Sequence, residues 1–238
     1  MVFGLKKLHM RKIVWIIGFS VVFLFHLAGI IHEIVWLAKL TKPMLIPFLG
    51  YFFWDLTYGI KNRLITLFLV ALLFSWFGDL LLMNTADPSF FLYGLLCFLV
   101  AQLCYSYFFY RIMGQQKIKF SWLLFFPVVI YYTVLISWLA PQLGGMKIPV
   151  MIYGAVISMM LLLALHLLYM PAIRAGRLFA LGAVFFVASD SALAINKFSA
   201  PFPHAALVIM VTYGLAQFLL TNGALQYILR EKSRHSLF

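Results

Sequence analysis

Residues 64–83 read LITLFLVALLFSWFGDLLLM, and Asp79 is the single charged side chain in this stretch. A membrane-spanning α-helix needs about 20 consecutive apolar residues. Because a bilayer offers no hydrogen bonds to bare backbone, a spanning segment must be a helix or a strand of a closed barrel, and barrel strands alternate apolar and polar residues. This run does not alternate, so it predicts a transmembrane helix.

The whole chain has the composition of a membrane protein. Of its 238 residues, 65% are hydrophobic and 10% are charged, whereas soluble domains carry about 25% charged residues. We therefore predict an all-α fold, a polytopic helical bundle that forms a single domain over residues 1–238 and contains eight transmembrane helices. Their predicted bounds are Ile13–Leu37, Pro43–Trp54, Leu64–Met83, Ser89–Tyr110, Phe120–Leu139, Ile148–Met170, Leu178–Asn196 and Ala205–Ile228.

The second predicted span is the shortest of the eight. At about twelve residues it is short for a membrane crossing. Pro43 and Pro47 lie within it, so we expect this helix to be tilted, broken or extended into its flanks. A seven-helix alternative without this span would place the two termini on opposite sides of the membrane.

The lysine and arginine residues favour eight spans over seven. With eight spans, fourteen of the 18 Lys and Arg residues lie on the side of the termini. The four on the other side are Lys39, Lys42, Lys147 and Lys197. Because cytoplasmic loops are enriched in Lys and Arg, we predict that both termini are cytoplasmic and that the protein lies in a bacterial inner membrane. The net charge of +12 then reflects topology, and we expect no nucleic-acid partner because no basic face on a soluble scaffold is present.

Two segments of the chain resemble each other. Ala71–Leu82 reads ALLFSWFGDLLL and Gly182–Leu193 reads GAVFFVASDSAL, which aligns Asp79 with Asp190. Tyr93-Gly94-Leu95 similarly matches Tyr213-Gly214-Leu215. This pattern predicts a parallel 4+4 repeat, with halves over residues 13–112 and 118–230 and an axis along the membrane normal.

Three of the six acidic residues lie within or at the end of apolar spans, namely Glu33, Asp79 and Asp190. A carboxylate at a helix centre costs at least ~2.5 kcal/mol on insertion scales, so such residues indicate a function. The predicted topology puts Asp79 and Asp190 roughly 7 to 10 Å below the outer boundary, where they can share one cavity. The alternative for the two aspartates is helix–helix hydrogen bonding, and for Glu33 with His32 it is an interfacial role.

Other polar residues are predicted to lie at a similar depth, and each alone is typical of an interface anchor. They are Lys42, Asn84, Tyr93, Asn196, Lys197, Thr212 and Tyr213. The residues that could contribute to a zinc site are His32, Glu33, Asp79, Asp190 and His204. Because no two of them have ligand spacing within one helix, we expect no metal.

At these residues the chain resembles the YhhN family of membrane proteins, which includes the lysoplasmalogenases. The matching segments are Thr41-Lys42-Pro43 at the predicted start of the second helix, residues 77–82 (FGDLLL), residues 185–198 (FFVASDSALAINKF), Thr212-Tyr213 and Ala216-Gln217. One position departs from the family pattern: Gln102 stands where the family often has histidine. The resemblance covers nearly the whole chain.

The resemblance implies hydrolysis of the vinyl ether bond of a lysoplasmalogen, with a lysophospholipid as substrate and no cofactor. Vinyl ethers open by protonation on carbon to an oxocarbenium ion, so the reaction needs one acid and one base or anion. Two carboxyl groups held close in a medium of low dielectric divide these roles, as in glycosidases. We expect Asp79 and Asp190 to be catalytic. The expected substrate-binding residues are Tyr93, Tyr213, Lys42, Lys197, Asn84, Asn196 and Glu33.

A proton-coupled transporter of small molecules or lipids is the alternative function, because intramembrane carboxylates and a parallel repeat are also typical of transporters. The predicted position of both aspartates towards one face argues against it, since alternating access places the binding site near the midplane.

Overall fold

The computed structural model describes residues 2–84, 87 and 89–235, and this part of the chain is helical, with no β-strand in it. The all-α prediction is confirmed. Its helices are α1 (Val2–Ile31), α2 (Val35–Thr57), α3 (Arg63–Leu82), α4 (Ser89–Gln115), α5 (Trp122–Leu139), α6 (Lys147–His166), α7 (Ile173–Phe198) and α8 (Ala205–His235).

Seven of these helices contain a segment long and apolar enough to cross a membrane. The protein is therefore a multi-pass membrane protein. The exception is α2, which is 23 residues long but less apolar than the others because it carries Lys39, Lys42, Pro43 and Pro47.

The boundary between the first two helices differs from the prediction. α1 ends at Ile31 rather than Leu37, and α2 begins at Val35, well before the predicted Pro43. The backbone reverses at Glu33, which has φ 56°, and the Ile34 N–H donates to Gly29 O at 2.8 Å. An αL residue after a helix is usually glycine, so the sequence carries no turn signal here. Thr41-Lys42-Pro43 accordingly lies inside α2 rather than at its start.

The prolines within α2 are compensated by a neighbouring helix. Proline has no N–H group, so Pro47 leaves the carbonyl of Pro43, four residues earlier, without its helical donor. Trp76 of α3 replaces that donor, because its indole Nε1 donates to Pro43 O at 2.8 Å. This bond explains how α2 continues through two prolines over its full length.

Helix α2 packs antiparallel to α1 along the full length of their contact. At one end, a Cβ on Gly29 would lie 2.9 Å from Ala38 N. In the middle, the Trp15 and Phe48 rings lie 5.1 Å apart. At the other end, Arg11 forms an ion pair with Asp55.

The same alternation continues through the bundle, and it places the ends of α1 and α8 together. α3 packs antiparallel to α4, where the Phe98 ring covers Gly78 so closely that a Cβ there would meet it at 2.6 Å. α7 packs antiparallel to α8, where Ser189 Oγ donates to Ile209 O at 3.0 Å. Arg11 near the start of α1 and Arg230 near the end of α8 line one pocket. Asp79 and Asp190 lie towards the opposite end of the bundle, in the last turns of α3 and in the second half of α7.

Candidate active site

Both intramembrane aspartates line one cavity of about 300 Å³. Five helices enclose it: α2, α3, α4, α7 and α8. The residues that line it are Lys42, Asp79, Leu82, Phe91, Phe98, Ser189, Asp190, Leu193, Asn196, Lys197, Ala206, Ile209, Met210 and Tyr213. Apolar side chains thus form most of the wall, and the charged groups on it are two carboxyls and two ammonium groups.

A directed chain of hydrogen bonds ends on Asp79, whose side chain is buried (4% exposed). Tyr105 Oη donates to Gln217 Oε1 at 2.7 Å, and Gln217 Nε2 donates to Tyr213 Oη at 3.3 Å. Tyr213 Oη in turn donates to Asp79 Oδ2 at 2.7 Å. Since Tyr213 accepts the amide hydrogen of Gln217, its own hydrogen is directed to Asp79, which serves as the acceptor at the end of the chain.

Asp190 has a different environment from Asp79. Its Oδ2 accepts a hydrogen bond from Tyr153 Oη of α6. The side chain is half-buried, and it also borders an apolar cleft of about 40 Å³ between α4, α6 and α7. Asp190 therefore faces both the main cavity and a narrow route lined by hydrocarbon.

The surroundings of the two aspartates correspond at a constant spacing along the chain. Asp79 and Asp190 are 111 residues apart, as are Lys42 and Tyr153, and also Gln102 and Tyr213. Lys42 lies near Asp79, where Tyr153 lies in the other half against Asp190. The packing contacts of Gly78 with Phe98 and of Ser189 with Ile209 follow the same spacing. The structural counterpart of Tyr213 is therefore Gln102, and not Tyr93 as the sequence match indicated.

Gln102 is fully buried, and neither its amide oxygen nor its amide nitrogen has a hydrogen-bond partner. It lies beside Tyr153. An unpartnered amide in such a position is uncommon in native structures. The residue thus marks a polar gap behind Asp190, at the position where Tyr213 completes the environment of Asp79.

A second, larger cavity of about 490 Å³ adjoins the first between α1, α2 and α8. Lys42, Ala206 and Met210 line both cavities. The remaining residues of the second cavity are His26, Gly29, Ile30, Glu33, Val35, Ala38, Lys39 and Met83. We call it the outer cavity, because it extends from the aspartates towards the turn between α1 and α2.

The family model named YhhN matches residues 37–224 of this chain, a range that includes every residue of the cavity around the aspartates. The chain belongs to the YhhN family. Among its relatives, it is 35% identical to the lysoplasmalogenase TMEM86B of Rattus norvegicus over 193 residues, which cover 80% of this chain and 74% of the rat protein. It is 32% identical to the human TMEM86B over 197 residues, which cover 82% and 78%. No solved structure gives a significant match.

Six of the residues predicted from the sequence line the cavity of this YhhN protein. They are Lys42, Asp79, Asp190, Asn196, Lys197 and Tyr213. The other three lie elsewhere. Tyr93 is 52% exposed and packs against Phe90 with ring centroids 6.3 Å apart, Asn84 follows the end of α3 at the surface, and Glu33 lines the outer cavity.

Sequence reasoning missed Tyr153, the hydrogen-bond donor to Asp190. It lies in an apolar segment of α6, where a tyrosine is ordinarily taken as a packing residue. The spacing of 111 residues from Lys42 is the signal that could have identified it. Within the described residues, no group of three His, Cys, Asp or Glu side chains is placed to hold a metal ion.

Proposed function

We propose that this YhhN protein is a lysoplasmalogenase-like hydrolase, which cleaves the vinyl ether bond of lysoplasmalogens to a fatty aldehyde and a glycerophospho-headgroup. Relatives that align with most of the chain carry the name lysoplasmalogenase. The observation that carries the proposal is the pair of carboxyls, Asp79 and Asp190, on one apolar cavity, each with a tyrosine hydroxyl as hydrogen-bond donor.

The reaction divides into two proton transfers. An acid first protonates the outer carbon of the alkene, and the positive charge that develops on the ether-bearing carbon is shared with the ether oxygen. Water then attacks that carbon while an anion removes a proton, and the resulting hemiacetal collapses to the aldehyde and the free glycerol hydroxyl. An apolar cavity strengthens the attraction between a carboxylate and the oxocarbenium ion, because few water molecules screen the two charges.

We infer that Asp79 is the anion and Asp190 the acid. Asp79 accepts the directed hydrogen bond from Tyr213, and a donor to a carboxylate favours its charged form. Asp190 borders the apolar cleft, which suits the alkenyl chain whose carbon must receive the proton. In this arrangement the chain extends between α4 and α6, and the glycerol end points towards Lys42.

We also infer that α2 crosses the membrane, which makes eight spans. α2 packs antiparallel to α1 from the Arg11–Asp55 ion pair to the contact of Gly29 with Ala38. It packs equally against α3, with the Phe53 and Phe68 rings 4.8 Å apart. A helix that covers the full length of two spanning helices shares their depth. The Lys and Arg distribution then supports cytoplasmic termini, and the common spacing of 111 residues supports a 4+4 repeat.

The experiment that tests the function is aldehyde release from purified protein. We expect fatty aldehyde from 1-alkenyl lysophospholipid and none from the 1-acyl ester. Asp79→Asn and Asp190→Asn should each abolish release while the protein still elutes as a folded species. The matched control is Asp55→Asn, which removes a carboxyl at the opposite end of the bundle and should retain activity.

Two results would contradict the proposal. Aldehyde release that survives both cavity substitutions would remove the aspartates from the reaction. Proton-dependent uptake into vesicles without aldehyde release would favour the transporter alternative.

A further inference from the structure

The outer cavity carries opposite charges at different distances from the reacting aspartates. Lys42 lies where the two cavities meet. Lys39 is one turn further along α2, and Glu33 lies beyond it in the turn between α1 and α2. Starting from Asp79, a ligand in this cavity therefore meets cationic groups first and a carboxylate last.

Glu33 adopts a backbone conformation that a glycine would adopt at lower cost. Its φ of 56° lies in the left-handed region, where L-residues with a side chain are disfavoured. The turn has the hydrogen bonds of a glycine-type helix end, with Ile34 N–H donating to Gly29 O and Glu33 N–H to Ile30 O. A strained residue in a cavity wall is a reason to look for a function of its side chain.

His26 supplies an independent indication of a ligand. Its side chain is 2% exposed, and its Nε2 lines the outer cavity region without a hydrogen-bond partner. Thr41 donates its hydroxyl hydrogen to Leu37 O at 2.7 Å, so Thr41 Oγ1 accepts from His26 Nδ1 at 2.9 Å. With its hydrogen on Nδ1, the neutral ring offers Nε2 as an acceptor.

We propose that the outer cavity binds the zwitterionic end of a lysophospholipid, with the phosphate at Lys42 and Lys39 and the ammonium group at Glu33. His26 Nε2 accepts a hydrogen bond from the free glycerol hydroxyl. The order of groups in the ligand matches the order in the cavity: ether, hydroxyl, phosphate and ammonium. This assignment rests on the proposed function for the direction of the lipid, and it adds that a headgroup ammonium is recognised.

The test uses lipids that cannot be cleaved, so that it does not depend on catalysis. The two probes are saturated 1-O-alkyl lysophosphatidylethanolamine and 1-O-alkyl-glycerol-3-phosphate, which share the chain, glycerol and phosphate and differ in the ammonium group. Their dissociation constants are measured with the full-length protein in nanodiscs of neutral lipid. Since a hydrogen bond to a charged group contributes enough for roughly a tenfold change in affinity, the wild type should bind the ethanolamine lipid about tenfold more tightly than its Glu33→Gly variant does.

Glu33→Gly distinguishes recognition from folding, because glycine relieves the backbone strain. The variant should melt at the same temperature as the wild type or higher, and its affinity for the glycerol phosphate lipid should not fall. Lys117→Gly is the matched control: Lys117 has φ 53°, and its turn after α4 has the same bond, Ile118 N–H to Met113 O, at the other end of the bundle. Lys117→Gly should leave both affinities unchanged.

The outcomes separate this proposal from the proposed function. Equal loss of ethanolamine-lipid affinity in both glycine variants, or no loss in Glu33→Gly, would overturn the ammonium site. Selective loss in Glu33→Gly supports it, even in a preparation that releases no aldehyde, in which case the hydrolase proposal alone would fail.

Discussion

Removing the hydroxyl of Tyr213 is the sharpest perturbation of the site. In Tyr213→Phe the ring keeps its packing against Phe98 and Phe186, whose centroids lie 5.9 and 5.6 Å away. Asp79 loses the donor at 2.7 Å, and Gln217 Nε2 loses its acceptor. The variant thus changes the hydrogen bonding of the proposed anion with little change in shape.

The size of the effect follows from the bonds that are lost. A hydrogen bond to a charged group contributes about 1.5 to 3 kcal/mol, which corresponds to a roughly 10- to 150-fold lower kcat/KM if the bond acts fully in the transition state. The neutral bond to Gln217 contributes about 1 kcal/mol to folding. We therefore expect a large loss of activity and a small loss of thermal stability.

The assay is the rate of aldehyde release as a function of substrate concentration, together with a melting curve for each variant. Tyr105→Phe is the matched control, because it removes a hydroxyl from the same chain of hydrogen bonds without touching Asp79. It should lose a similar amount of stability and less than tenfold in kcat/KM. Equal kinetic effects of the two substitutions, or an unchanged kcat/KM in Tyr213→Phe, would refute the role given to Asp79.

Two further predictions concern the fold. In Trp76→Phe the carbonyl of Pro43 loses its donor, and a buried unpaired carbonyl costs about 1 to 3 kcal/mol; a lower melting temperature in detergent is expected, and a temperature equal to the wild type would show that water replaces the indole. Single cysteines at Tyr58 and Ser199, which follow α2 and α7, are expected to react with an impermeant maleimide from opposite sides of sealed vesicles, cytoplasmic for Tyr58. Labelling of both from one side would exclude eight spans with cytoplasmic termini.

The sequence predicts the helices of this protein well where apolarity determines them. Residues 64–83 were assigned to a span, and α3 covers Arg63–Leu82. The turn at Glu33 was missed because the apolar run continues across it, and a residue in the left-handed region leaves no mark when it is not glycine. The extension of α2 past two prolines depends on Trp76, a contact between helices that a local pattern does not contain.

The candidate site shows the same division between local and distant information. Asp79 and Asp190 are predictable because the cost of a carboxyl in an apolar span is a property of the residue and its neighbours. Tyr93 and Tyr153 are not, because helix rotation decides which tyrosine reaches a carboxyl. Tyr93 faces outwards at 52% exposure, whereas Tyr153 on α6 faces Asp190.

The differences between the two halves explain how two identical side chains can take different roles. Around Asp79 the corresponding positions hold a cation, Lys42, and a hydroxyl donor, Tyr213. Around Asp190 they hold two neutral residues, Tyr153 and Gln102. A nearby cation favours a carboxylate, and a neutral apolar setting favours a carboxylic acid. If these neighbours set the roles, exchanging Asp79 for Asn should leave an acid without its anion, and exchanging Asp190 for Asn an anion without its acid. Only the second variant would then retain the charge that attracts an oxocarbenium-like cation, so a cationic transition-state mimic should bind Asp190→Asn more tightly than Asp79→Asn; the reverse order would assign the acid to Asp79.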